Sequence, residues 1–122
     1  MGTSCGIAVK TEKGYNTIYC HWDGYPEYML AMLRRNYDSI ELATKLVSFG
    51  DASSIDARLE PTPGVTHTFD NPEDGVCVFY NRDRGESWKD VAPKCLTLDQ
   101  LRNCKSFDFV YVFEDVEWWC LR

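Results

Sequence analysis

The chain has 122 residues, 44% hydrophobic and 14% aromatic, which is enough for one core and too apolar for a disordered segment, so it reads as a single domain over residues 1–122. Its formal charge of −6, from 19 acids against 13 Lys and Arg, disfavours direct nucleic-acid binding, which depends on collecting phosphates, and favours a basic protein partner. No apolar run reaches the roughly 20 residues of a membrane helix. The start "MGTSCGIAVK" lacks the basic-then-apolar layout of a secretory signal. A reducing compartment is therefore expected, with Cys5, Cys20, Cys77, Cys95, Cys104 and Cys120 as thiols. None of them forms a Cys-x-x-Cys pair.

"CGIAVKTEKGYNTIYCHW" predicts two strands joined by a turn at Glu12, Lys13 and Gly14. In the second, Asn16, Ile18, Cys20 and Trp22 alternate with Tyr15, Thr17, Tyr19 and His21. Asp23-Gly24 then breaks the strand, with Gly24 expected at positive φ. Pro26 suits the first turn of a helix, and Glu27 places negative charge at the positive end of its dipole. Asp38 and Glu41 predict the start of a second helix, Ile40, Ala43, Leu46 and Val47 its apolar stripe, and Gly50 its stop.

Residues 51–75 hold three of the five prolines and predict loops around a short "VTHTF" strand. "VCVFYNR" predicts a strand and "DRGESWKDVAPK" an exposed loop. Thr97 and Gln100 mark a capped short helix, and "FDFVYVF" and "VEWWCL" a C-terminal hairpin. The fold class is α+β: a twisted antiparallel sheet of about five or six strands with a short helical pair on one face. Tyr15, Tyr19, Phe79, Phe107, Phe109, Tyr111, Phe113, Trp118 and Trp119 all fall in predicted strands, and one face cannot hold them. Either the second face is covered, or an aromatic patch is open to a partner or a second copy of the chain.

Two stretches carry the functional candidates. In "HWDGYPE", residues 21–27, His21 and Asp23 lie two apart on a strand and could act as a base and its orienting acid. The same residues also make a strand-to-helix corner, which accounts for them with fewer assumptions. In "NRDRGESW", residues 81–88, Arg82 and Arg84 bracket Asp83, and Trp88 follows. Arg and Trp favour interfaces, and paired guanidiniums can grip a phosphate or carboxylate. With His21 and His67 its only histidines and no ligand pair at zinc spacing, the chain points to no metal and no cofactor.

Together, "IYCHWDGYP", the helical pair ending in "LVSFGDASSI", "YNRDRGE" and "FVYVFEDVEWW" resemble a family of small bacteriophage and prophage proteins. The likeness runs in order over about residues 18–119. It departs where Val116 follows Asp115 in place of the family's Asp-Gly, and where "LEPTPGVTHTF" lengthens a loop. The resemblance implies a mobile-element protein of the host cytoplasm. Its role would be a non-catalytic inhibitor of a host defence protein, anti-CRISPR proteins being the example, with a basic nucleic-acid-binding effector as the target class. The partner-binding candidates are Asp51, Asp56, Glu73, Asp74, Arg82, Arg84, Glu86, Trp88 and Asp90. The alternative is a small phage enzyme or nucleotide- or phosphate-binding protein using His21, Asp23 and the Arg82/Arg84 loop.

Overall fold

A computed structural model describes residues 2–122. Cys5–Thr11 (β1) and Gly14–Cys20 (β2) form an antiparallel hairpin, followed by helices Pro26–Asn36 (α1) and Ile40–Ser48 (α2). Strands Ala52–Ser54 (β3) and Val78–Phe79 (β4) flank the irregular segment, and short helices Tyr80–Arg84 (α3) and Trp88–Val91 (α4) come next. Strand Lys94–Leu96 (β5) and helix Leu98–Asn103 (α5) then lead into the C-terminal hairpin of Phe109–Glu114 (β6) and Glu117–Cys120 (β7).

The sheet order is β4-β3-β2-β1-β6-β7, with β5 also on β2. This is the expected α+β architecture, but the sheet is mixed, because β1 pairs parallel with β6 and β2 parallel with β3. The hairpin pattern at both ends of the chain gives no sign of β1–β6 pairing, which closes across most of the sequence. A strand buried on both faces reads as an unbroken apolar run, and the buried run Val110, Tyr111, Val112, Phe113 in β6 fits that place.

Both faces carry buried clusters, which takes up most of the strand aromatics, while Trp119 stays 47% exposed and Tyr19 and Phe107 line a cleft. Ile7, Val9, Ile18, Tyr111, Phe113 and Trp118 point to the side of α1 and α2, where Met29, Leu33, Ala43 and Leu46 meet them. Ala8, Tyr15, Val110 and Val112 point the other way, to Leu101 of α5 and to Phe107. The strand period sorts them. Gly6 has a packing reason: a Cβ there would stand 2.7 Å from the Phe107 ring.

Several local expectations need correction. "VCVFYNR" leaves the strand after Phe79 and turns into α3, which ends on Gly85 at φ 78°. "VTHTF" forms no strand, and "DRGESWKDVAPK" contains the single turn of α4. The second helix is capped by Ser39, whose side chain accepts from Leu42 N–H, and not by Asp38. At the corner, Asp23 carries the positive φ (58°), not Gly24. Gly24 is needed for space instead, since a Cβ would stand 2.7 Å from the Ser4 carbonyl carbon. Thr97 and Gln100 form the full capping box as read. No helix among the described residues is long and apolar enough to cross a membrane.

Candidate functional site: a cleft where two strands leave one edge

The free edge of β2 is shared by two strands. β5 pairs antiparallel with Tyr15, Asn16 and Thr17, while β3 pairs parallel at Cys20 alone. The two diverge at Ile18 and Tyr19, and a half-open cleft of about 550 Å³ lies there. It is lined by Thr17, Ile18 and Tyr19, by Asp51, Lys94 and Leu96, and by Cys104, Ser106 and Phe107.

Divergence leaves the Tyr19 N–H without a strand partner, and Asp51 Oδ1 accepts it at 2.9 Å. Gly50, at φ 86°, delivers Asp51 to that point, and Asp51 N–H donates to the Val91 carbonyl. The Tyr19 amide is the one protein donor to this carboxylate among the described residues, Oδ2 keeps access to solvent, and Asp51 lines the cleft. Burial raises the Asp51 carboxyl from its ordinary value, against the opposing pull of the Tyr19 amide and the Lys94 charge. The Tyr19 and Phe107 rings stack 6.3 Å apart and form an aromatic wall. The Tyr19 hydroxyl is hydrogen-bonded to His21 Nδ1 at 2.8 Å.

His21 is therefore held by Tyr19, and Trp22 stands edge-on to it. Asp23 is exposed, and no hydrogen bond or ion pair joins it to His21 among the described residues. "HWDGYPE" is a corner. Gly24 N–H donates to the Thr3 carbonyl, the Gly24 carbonyl accepts from the buried Tyr111 hydroxyl at 2.6 Å, and Pro26 opens α1.

The arginine segment is a partly buried polar knot. Arg82 Nε and one terminal nitrogen pair with the two oxygens of Asp83, at 2.8 and 2.9 Å. Its other donations go to the carbonyls of Leu59 and Cys77, and its guanidinium lies over Phe49 and Phe79. Asp83 also accepts from Phe79 N–H. His67, whose side chain is 1% exposed, brings Nε2 to 3.3 Å from Asp83 and 3.1 Å from the Cys77 carbonyl. His67 Nδ1 accepts from Glu73 N–H, which fixes the other nitrogen as the protonated one in the neutral ring. This network ties residues 59–77 to α3. It engages four of the five Arg82 donors within the fold.

The remaining candidates are scattered. Arg84 pairs with Glu86 at 3.0 Å and stacks over Phe69 and Tyr80. Glu73 accepts from Thr62 and Arg58, and the Thr62 hydroxyl first, then its amide and Arg58, pull its carboxyl down to about 2. The Asp74 carbonyl takes another Arg58 donor. Asp56 turns its own carboxylate to Ala57 N–H. Asp90 is exposed. Trp88, 45% exposed, lies above Gly50, where a Cβ would come within 3.0 Å of its ring.

Only Asp51 of the candidates lines the cleft. Tyr19 and Phe107 were legible only as two of the strand aromatics and Lys94 not as a site residue, since the three lie in separated stretches. Asp83 and His67 were visible only as a residue between two arginines and as a lone histidine.

No family model matches the chain, and neither the curated proteins nor the solved structures give a match.

Proposed function

We propose that this protein is a non-catalytic binding protein of a phage or mobile element that blocks a basic protein of the host's defence, of the anti-CRISPR kind. The observation that carries the reading is Trp88. It is a large aromatic side chain, 45% exposed, held on a one-turn helix between Glu86 and Asp90 and backed by Gly50. An exposed Trp is a common interface anchor, and the acids Glu86 and Asp90 beside it suit a basic partner, although Lys89 adjoins it and Arg84 pairs with Glu86. The charge of −6 supports the same partner class. The phage resemblance supports the setting, a host cytoplasm. The enzyme alternative has less behind it, because most Arg82 donors are engaged by Asp83 and two carbonyls and no hydrogen bond or ion pair joins Arg82 to His21 among the described residues.

The test is capture of a host protein followed by surface-plasmon kinetics at two salt concentrations. Trp88→Ala should speed dissociation, by a factor corresponding to about 2 kcal/mol if it is a hot spot. Charge reversal at Glu86 or Asp90 should slow association, and more so at low salt. Capture of no host protein, or unchanged rates in these variants, overturns the reading.

A further inference from the structure

The cleft beside β2 has features that the docking of a basic protein does not use. Its lining includes the Asp51 carboxylate, whose Oδ1 is held by the Tyr19 amide while Oδ2 keeps access to solvent. Its wall is the stacked Tyr19–Phe107 pair. Lys94 is an exposed cation on its lining. The volume of about 550 Å³ falls in the range of small-ligand pockets, which runs from about 300 to 1,000 Å³. Acceptor, aromatic wall and cation together suit a planar heteroaromatic that donates N–H groups along one edge and carries an anion at its far end. Ionised carboxylates only accept hydrogen bonds. Aromatic side chains stack on bases regardless of sequence, and a lysine meets a phosphate as a point charge.

We propose that this cleft binds a nucleoside monophosphate: base against Tyr19 and Phe107, its N–H edge to Asp51, and its phosphate to Lys94. Guanine, with a ring N–H beside an amino group, fits a carboxylate best among the common bases. The site is distinct from the arginine loop, where the phosphate would have to displace Asp83. A single phosphate asks for one cation, so the acidic balance of the chain does not oppose it. The rigid placement of Asp51 by a backbone amide gives the site its geometry before ligand arrives.

The experiment is a titration of the full chain with GMP, followed by calorimetry and amide NMR shifts. AMP, guanosine and inorganic phosphate serve as comparisons. GMP should bind saturably and shift the amides of Tyr19, Lys94 and Phe107. AMP, which lacks the ring N–H donor, should bind more weakly. Asp51→Asn keeps an oxygen for the Tyr19 amide and turns an NH₂ toward the ligand, so it should weaken GMP about tenfold or more. Lys94→Ala should weaken GMP and leave guanosine unchanged. Lys89→Ala, which removes an exposed cation outside the cleft lining, should leave GMP binding unchanged. Absence of saturable GMP binding at millimolar concentration overturns the proposal. So does equal binding by wild type and Asp51→Asn, or equal binding of GMP and inorganic phosphate.

Discussion

Asp51 and Asp83 are both held against a backbone amide, Tyr19 N–H in one case and Phe79 N–H in the other, yet their surroundings move them in opposite directions. At Asp83, burial pushes the carboxyl up, but the Arg82 guanidinium, the Phe79 amide and the His67 ring outweigh it, and the net shift is downward. At Asp51, burial is the largest influence, only one amide and a more distant Lys94 oppose it, and the net shift is upward. One carboxylate is saturated and fastens two segments together. The other keeps an oxygen turned to solvent in a cleft. A fully partnered polar cluster is explained by folding, whereas a half-partnered one has capacity left for a ligand.

The largest expected effect tests the saturated side. Asp83→Ala leaves Arg82 without its partner above Phe49 and Phe79 and deprives the Phe79 amide of its acceptor. Breaking such a pair costs about 3 kcal/mol or more, to be read from urea unfolding. Because the folded carboxyl titrates below its unfolded value of about 3.9, its contribution is present above that pH and is lost as pH falls through the lower folded value. The gap between wild type and Asp83→Ala should therefore hold from neutral pH down to about 4 and close below it. A gap under about 1 kcal/mol at pH 7 would make the knot an ordinary surface pair.

Next in size is the corner. Gly24→Val drives a side chain into the Ser4 backbone and should cost about 2 kcal/mol. Pro26→Ala, at the first helical position, should cost less than about 1 kcal/mol. Equal effects on melting temperature would show that close approach to residues 3 and 4 does not decide Gly24.

The half-partnered side predicts smaller changes. Asp51→Asn retains an acceptor for Tyr19 N–H and removes a carboxyl that folding disfavours in its charged form. A raised folded value means that this group's stabilisation is present at low pH and is lost as pH rises through it. At pH 7 the variant should match or slightly exceed wild type, within about 0.5 kcal/mol. A loss as large as that of Asp83→Ala would dissolve the contrast between the two carboxyls.

A gain is expected in the last hairpin. The β6–β7 turn puts both Asp115 and Val116 at positive φ, 53° and 61°, as a two-residue hairpin demands. A β-branched residue is strained there, and Val116 is 84% exposed with no packing to offset it. Val116→Gly should stabilise by about 0.5–1 kcal/mol. An unchanged denaturation midpoint would place the strain elsewhere.

The sequence by itself determined what local chemistry controls. The first hairpin, the two helices, the stop at Gly50, the Thr97–Gln100 box and the last hairpin are each written within a few residues by period, cap or turn. Asp51, Trp88 and the arginine segment could be named as polar or aromatic groups with something to do. Only the tertiary structure decided which were already occupied. The parallel β1–β6 pairing and the divergence of β3 and β5 from one edge of β2 join segments far apart in the chain, and no local pattern encodes which strand finds which edge. His67 reaches Asp83 across the irregular loop, and Lys94 and Phe107 reach Asp51's cleft, by that same route. Whether a side chain is a fastener or a free valence depends on partners supplied by distant segments, and those are settled when the sheet closes.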